Sequence, residues 1–323
     1  MSEHVDVDPV VVVGAGISGI AAARALTARG TPVVVLDRGR RLGGRMASKR
    51  VDGRVVDTGA SYFTVSDDGF GAVVERWRSR GVARPWTDTL VVSHDGELEP
   101  KPGPVRWSAP GGLRSLVEDL AKGLDVRRET VEHVGPGPQV DGLRAAAVVL
   151  AMPDPQAVRL VDPAFEDLRA ALTDPFEPVL ALTATWAERS WPDVQGAFVA
   201  GDPVISWIAD DGRRRGDGAP VLVAHSTPDF AAEHLDVPDE AAGPMAVATR
   251  DALGIEVEPV STHVHRWTFG KPSGSREEAY LLDDSLDGSL VGVCGDAFSD
   301  RPRVEAAYLS GAALGQAVAD RLA

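Results

Sequence analysis

The run VVVVGAGISGIAAARALTARGTPVVVLDRGRRLGGR occupies Val10–Arg45 and decides how the rest of the chain is read. Val10–Val13 is too uniformly apolar for a strand with one wet face, so it predicts a buried parallel strand. Ile17–Arg29 is rich in alanine and closed by Gly30, which predicts a helix. Thr31–Leu36 predicts a second buried strand and completes a βαβ unit with short connections. Between strand and helix stand Gly14, Gly16 and Gly19, the G-x-G-x-x-G spacing. The first glycine makes the tight turn, and the second lets the backbone approach a pyrophosphate. The third lets helix and strand pack closely. The amides and dipole of the first helical turn then face two phosphates. Asp37 ends the second strand, where a carboxylate accepts hydrogen bonds from ribose hydroxyls. The expected ligand is a dinucleotide, and this much of the pattern does not separate a nicotinamide from a flavin.

The bulk properties narrow the setting. At 323 residues the chain can bury a sizeable core, as one large domain or two ordinary ones. Its 44% hydrophobic and 25% charged residues are those of a globular protein in water. No apolar run approaches the roughly 20 residues that span a bilayer. The start, MSEHVDVDP, is acidic and leads straight into a strand, so no signal peptide is expected and the expected compartment is the cytoplasm. A single cysteine, Cys294, rules out an internal disulfide and any multi-cysteine metal centre. No metal is expected. The net charge of −15 disfavours nucleic acid and anionic membrane as partners. The balance reverses over Arg38, Arg40, Arg41, Arg45, Lys49, Arg50 and Arg54, opposed only by Asp52. Most of these read as a solvated face, with one or two available to a pyrophosphate.

Farther along, Gly53–Phe63 predicts a strand running into a turn. DDGFGAVVERWRSRG carries Phe70, Val73, Val74 and Trp77 at helical spacing. APGGLRSLVEDLAKGL predicts another helix, DVRRETVEHV a pair of strands, and LRAAAVVLAMP a buried strand. The middle differs: VLALTATW, PVISWIA and PVLVAHST suit an antiparallel sheet, with DDGRRRGDGAP as a mobile, hydrated turn between two of them. A helix near Asp239–Leu253, the strand STHVHRWTF, the buried strand SLVGVCGD and a closing helix over Val304–Leu322 finish the chain. Fold class is therefore α/β. A Rossmann-type nucleotide-binding domain is expected over 1–60, 111–160 and 287–323, with an inserted α+β substrate domain over 61–110 and 161–286 whose sheet is mixed and largely antiparallel.

The residues beyond Asp37 bear on the ligand. DRGRRLGGR places Gly43, Gly44 and Arg45 behind the acid, and VCGDAFSDRPRVEAAYLSGAALGQAV closes the chain. Both segments resemble those of the FAD-dependent amine oxidase superfamily, which includes monoamine oxidases, protoporphyrinogen oxidase and the renalases. The resemblance implies FAD, held non-covalently: the double glycine brings backbone close to the flavin side and Arg45 approaches the pyrophosphate as a planar fork. It implies that Asp296, beside Gly295, bonds a ribityl hydroxyl. The helix from Val304 and Glu305 would aim its N-terminus at the flavin pyrimidine ring, favouring the charge that builds there on reduction. Ile17, Ser18, Arg38, Met46 and Val131, with Gly59, Ala60 and Ser61 beside the ring, complete the implied cofactor contacts.

Taken in order, GGRMASKR, DTGASYFTV, VRWSAPGGLRSLVEDLA, VLVAHSTPDFAAEHL, HVHRWTFGKP and RVEAAYLSG look like the landmarks of bacterial renalases, from about Val10 to Gly311. One departure is Ala306, where a glycine is expected after the glutamate, and it bears on the tightness of the helix start. Renalase resemblance implies an oxidase that takes a hydride from the 2- and 6-dihydro isomers of NAD(P)H and passes the electrons to dioxygen, giving NAD(P)+ and hydrogen peroxide. The residues are compatible, since no Ser-His-Asp, Cys-His or two-metal arrangement is found and this hydride transfer needs none. His265 and Trp267 alternate on one strand and share a face, so either could border the nicotinamide or belong to the core; Tyr62 is a third candidate. Lys271, in FGKPSGS, reads as solvated in a turn, and Cys294 as a buried structural thiol rather than a flavin anchor. The alternatives are a superfamily oxidase acting on an amine or a lipophilic polyene, and a flavin-binding protein without turnover. Against the amine, only Tyr62, Tyr280 and Tyr308 are available for a tyrosine cage.

Overall fold

The computed structural model describes residues 8–274, 276–286 and 288–323. The acidic start, on which the expectation about a signal peptide rests, lies outside the described residues through Val7. The chain begins β1 (Val10–Val13), α1 (Ile17–Ala28), β2 (Val33–Asp37), β3 (Ser48–Val51) and β4 (Arg54–Asp57). Next come α2 (Asp68–Ser79), β5 (Arg84–His94), β6 (Glu97–Ser108), α3 (Arg114–Leu120) and β7 (Asp125–Arg128). Short strands β8 (Val134–Gly135), β9 (Gln139–Val140) and β10 (Leu143–Arg144) precede β11 (Ala147–Leu150), α4 (Asp154–Leu160) and α5 (Glu166–Ala171). After them stand β12 (Phe176–Thr185), β13 (Gly196–Val199), β14 (Ile205–Asp210), α6 (Asp211–Arg215), β15 (Val221–Ser226) and α7 (Pro228–Glu233). The chain ends α8 (Ala242–Leu253), β16 (Ser261–Pro272), β17 (Leu281–Asp283), β18 (Val291–Val293) and α9 (Val304–Leu322).

These elements form two compact units. The first takes residues 1–44, 117–176 and 272–323, and the second takes 45–116 and 177–271. The joints fall at 44/45, 116/117, 176/177 and 271/272, against the expected 60/61, 110/111, 160/161 and 286/287.

The first unit is built on a six-stranded sheet in the order β17-β18-β11-β1-β2-β7. Every neighbouring pair is parallel except the edge pair β17–β18. Val11, Val13, Val34, Leu36, Val148 and Leu150 pack on Phe165 and Leu168. The alternate residues Val10, Val12, Val35 and Val149 are also fully buried, so both faces are covered, as the uniform valines require. Helices α1 and α9 meet at glycines: a Cβ on Gly311 would overlap the Ser18 carbonyl oxygen, and one on Gly315 that of Ala22. The expected strand pair in DVRRETVEHV does not form. β7 joins the parallel sheet beside β2, while β8 opens a separate ribbon with β9 and β10. Glu129–His133 carries no turn residue that would fold the two strands back on each other.

The second unit holds a seven-stranded sheet in the order β16-β12-β15-β14-β13-β5-β6, in which β12–β15, β15–β14, β14–β13 and β5–β6 are antiparallel and β13–β5 is parallel. One face, through Leu180, Leu182, Ile205, Ile208 and Leu222, packs on Met245 and Leu253 of α8. Trp207 stands opposite His225 and Ala209 opposite Val223, so these four share the other face. The DDGRRRGDGAP stretch is a correction to the sequence reading. It is the helix α6, with the Asp210 side chain capping Arg213 N–H at 2.9 Å and Gly216 closing it in the left-handed region. Arg214 and Arg215 are buried rather than hydrated. Lys271 likewise lies on β16, exposed, rather than in a turn.

Candidate functional site

In the first unit the glycine turn comes after β1, the strand flanked by β2 and β11, at the carboxyl ends of the parallel strands. The strand order reverses there, which is where doubly wound sheets bind ligands. Gly14 has φ +109°, and a Cβ there would sit 2.6 Å from the Ala151 carbonyl oxygen; a Cβ on Gly19 would overlap the Gly14 carbonyl oxygen. Both are glycine because of protein packing. Gly16 is different: the nearest atom to its ideal Cβ is the Gly44 Cα, at 4.0 Å. It is the N-cap of α1 and offers no side-chain cap, so the first helical amides, at Ile17 and Ser18, meet no protein acceptor from it. Backbone donors at the start of a twelve-residue helix, with no side chain in front of Gly16, suit a pyrophosphate.

Asp37 does more than its place at a strand end implies. Its Oδ2 accepts from Ala15 N–H at 2.7 Å and its Oδ1 from Gly39 N–H at 2.6 Å. Gly43 N–H in turn donates to the Ala15 carbonyl at 2.9 Å. The residue between the first two glycines is thus clasped from both sides, once by the acid and once by the first glycine of the GGR run. Each carboxylate oxygen keeps a lone pair for a ribose hydroxyl. Arg38 is exposed, and Val131 packs its side chain in the core with Phe165.

The closing segment comes to the same turn. The Ser18 hydroxyl donates to the Cys294 sulfur at 3.0 Å, and Gly295 N–H to the Ser310 hydroxyl at 3.1 Å. Cys294 is fully buried and its thiol is pushed up to about 12 by that burial, against the Ser18 bond. It is a structural thiol. Asp296 is half-buried. Glu305, in the first turn of α9, is completely buried and paired with Arg303 at 2.8 Å, so the helix start carries a neutral ion pair. Ala306 is buried within the first turn of α9, which begins at Val304 as expected.

The second unit carries the remaining candidates. A Cβ on Gly59 would overlap the Arg45 carbonyl oxygen and lie 3.3 Å from the Trp267 ring, and Ala60 N–H donates to that same carbonyl at 2.9 Å. Arg45 Nη1 donates to the Gly270 carbonyl at 3.3 Å, and Met46 is buried. Trp267 Nε1 donates to the Thr58 carbonyl at 2.7 Å. Its ring stands edge-to-face with His265, centroids 4.6 Å apart, and Lys49 Nζ lies 2.7 Å from His265 Nδ1. His265 is pushed down to about 4 by burial, with help from Lys49 and Arg266, so it is neutral at pH 7. Lys49 is itself lowered by burial and by the charge of Arg114.

Three features escaped the sequence reading. Ser61 is held twice: its carbonyl accepts from Arg214 Nη1 at 2.7 Å and its hydroxyl from Trp207 Nε1 at 3.0 Å. Arg214 belongs to a buried charge network. Asp211 pairs with Arg214, with Arg215 at 3.0 Å and with Arg54 at 2.8 Å, and Arg215 reaches Asp57 at 3.0 Å. Burial pushes the Asp211 carboxyl up, but Arg214, Arg215 and Arg54 overcome it and hold the acid ionised. Finally, Tyr62 lies 6.1 Å from Trp86 and 5.6 Å from Trp207, which is 4.9 Å from Phe198. One tyrosine, two tryptophans and a phenylalanine thus form an aromatic wall on this face of the sheet, a grouping that a count of tyrosines does not register. His225, beside Trp207, is pushed down to about 4 by burial and then by Arg214, and its Nε2 has no hydrogen-bond partner among the described residues. No short motif announces these contacts, which join strands far apart in the sequence.

Residues 12–77 match the NAD(P)-binding Rossmann-like domain. The chain is 45% identical over 65 residues to hydroxyneurosporene desaturase of Rubrivivax gelatinosus, covering 20% of this chain and 12% of that protein. It is 44% identical over 66 residues to putrescine oxidase of Kocuria rosea, covering 20% of this chain and 14% of the relative. The matched stretches are therefore a small part of these relatives' length. The structure of cyclohexylamine oxidase from Brevibacterium oxydans superposes with a TM-score of 0.77 at 16% identity, over 98% of this chain and 99% of that one. The fold is that seen in the structure of cyclohexylamine oxidase, with a Rossmann-type nucleotide-binding unit and mixed sheets.

Proposed function

We propose that this chain, having that fold, is a FAD-dependent oxidase whose substrates are the misreduced 2- and 6-dihydro isomers of NAD(P)H, returned to NAD(P)+. The observation that carries the flavin half is the uncapped start of α1 behind Gly16, in a unit whose closing helix packs on the same turn. There the amides of Ile17 and Ser18 take the pyrophosphate, Asp37 a ribose, and Asp296 a ribityl hydroxyl. Bound FAD would supply a hydride-accepting ring from which the electron pair and proton of that hydride, with one proton from solvent, would convert dioxygen to hydrogen peroxide.

The protein's own contribution is to bind, orient and exclude water. A dihydropyridine that loses a hydride becomes an aromatic cation, so no proton has to be taken from it. The second unit is in keeping with this: His265 and His225 are neutral donors or acceptors, and the Lys49 ammonium is tied to His265. Lys49, Arg114 and Arg266 also give the neighbourhood of His265 a positive field, which favours a dinucleotide and opposes an ammonium.

Oxidation of an amine is the second reading, favoured by the aromatic wall of Tyr62, Trp86, Trp207 and Phe198. One experiment separates the two. The FAD-loaded protein is mixed anaerobically with each dihydronicotinamide isomer and then with simple amines, and the visible flavin band is followed. Bleaching by the isomers alone is the expected result. Bleaching by amines alone overturns the proposal in favour of the second reading, and bleaching by neither leaves a flavin-binding protein without turnover.

A further inference from the structure

The contact between Lys49 and His265 determines which imidazole nitrogen holds the proton. A lysine side chain can only donate, so a nitrogen 2.7 Å from Nζ must accept. His265 Nδ1 therefore carries the lone pair, and in the neutral ring the proton sits on Nε2. That ring is held in place, since it stands edge-to-face on Trp267 at 4.6 Å, and Trp267 is anchored to the Thr58 carbonyl at 2.7 Å. Nδ1 is taken, and no partner for Nε2 occurs among the described residues. The charges that act on Lys49 and His265 are positive: Lys49 on β3, Arg114 at the start of α3, and Arg266 on the same strand as His265. The acid that follows β3, Asp52, is bonded to Ser261 and His263. A fixed N–H on a half-buried ring, open to solvent or ligand and in a positive field, suits an electron-rich oxygen.

We propose that Lys49 is a positioning residue: it fixes His265 as the Nε2–H tautomer, and that N–H is a donor to a carbonyl or phosphate oxygen of the substrate. The inference deepens the functional reading above and rests on it for the identity of the substrate. Lys49 itself touches no reacting atom. Its effect passes through the imidazole, which stays neutral because it is half-buried and because Lys49 and Arg266 oppose a second positive charge.

The test uses the full-length FAD-loaded protein with nitrogen-15 histidine, the His265 signals being identified by their loss in H265Q. In the wild type, without any substrate, we expect at pH 7 a single tautomer protonated on Nε2 that begins to titrate only toward pH 4. In K49M we expect both tautomers and a titration point above the wild-type one but still below the ordinary histidine range, since burial, the larger cause, and Arg266 remain; K49R should restore the wild-type pattern. Lys49 is exposed, so neither variant removes a core side chain. In turnover, K49M should raise KM for the 6-dihydro isomer about tenfold, the scale of one lost hydrogen bond, with K49R close to wild type. A proton on Nδ1 in the wild type, or a K49M spectrum and titration identical to wild type, overturns the inference. The spectroscopic arm needs no substrate, so its failure is distinct from that of the functional reading, which falls if neither isomer bleaches the flavin.

Discussion

Asp37 Oδ2 accepts the backbone N–H of Ala15 at 2.7 Å, and through that bond the acid at the end of β2 shapes the glycine turn after β1. The expected partner of this carboxylate was a ribose. In the structure it is also a brace, with Gly39 N–H on its other oxygen. Replacing Asp37 by Ala removes two charge-assisted bonds, each of which contributes about 1.5–3 kcal/mol when the acceptor is ionised. The D37A protein should lose at least about 3 kcal/mol of unfolding free energy in urea even without nucleotide. D37N, which keeps an acceptor oxygen, should lose less. An unchanged midpoint for D37A would mean that the brace contributes nothing.

Gly16 and Gly19 make a paired test. Alanine at Gly16 meets nothing closer than 4.0 Å, whereas alanine at Gly19 overlaps the Gly14 carbonyl oxygen. G16A should therefore fold with a near-normal Tm while its Kd for FAD rises at least tenfold, about 1.4 kcal/mol. G19A should be poorly soluble or strongly destabilised whether or not FAD is present. If G16A bound FAD as tightly as wild type, the open space at this glycine would not be where the pyrophosphate lies.

The buried network around Asp211 predicts a stability effect at a residue that reads like surface. Arg214 is 1% exposed and bonds both Asp211 and the Ser61 carbonyl. Arg214→Met strands part of a buried charge, a change that typically costs 3–5 kcal/mol. Chemical unfolding of R214M should show a loss of about that size, and R213M, at the exposed neighbour, less than about 1 kcal/mol. Equal effects at the two positions would contradict the burial.

A pH dependence arises from His225, lowered from 6.5 to about 4 by burial and by Arg214. Its folded form binds a proton less readily than the unfolded chain. Its contribution to stability is thus fully present above pH 6.5 and is lost as the pH falls toward 4. His265 has a shift in the same direction, so two histidines weaken the fold over the same window. H225Q should lose less stability than wild type between pH 6.5 and 4, measured as urea midpoints against pH. Parallel curves for the two proteins would rule out a neutral buried imidazole at this position.

The two ends of the chain were the legible part. Val10–Val13, the glycine spacing, Asp37 and Val304–Leu322 are each specified by local rules of periodicity, turn chemistry and helix ends. Phe70, Val73, Val74 and Trp77 gave α2 for the same reason. The long hairpin of β5 and β6 was not legible, although Asp95 and Gly96, both with positive φ, carry the usual two-residue turn signal. Pro100, Pro102 and Pro104 obscured it; they are tolerated because β6 is the sheet edge, where fewer ladder N–H groups are needed. α6 was hidden by two glycines and three arginines, because what holds Arg214 and Arg215 inside is Asp57 and Asp211, and a hydropathy pattern does not register a neutralised charge. The Lys49–His265 contact joins residues 216 apart and was invisible for that reason alone.

The turn at Gly14–Gly19 and the helix from Val304, both in the first unit, are together the proposed grip on one flavin nucleotide, and every functional expectation above depends on it. The direct measurement is the visible spectrum of the purified protein after incubation with excess FAD and removal of the free nucleotide by gel filtration. A yellow protein with close to one flavin per chain is the predicted result, with a colourless G16A under the same treatment. A wild-type preparation that emerges folded and colourless would contradict it.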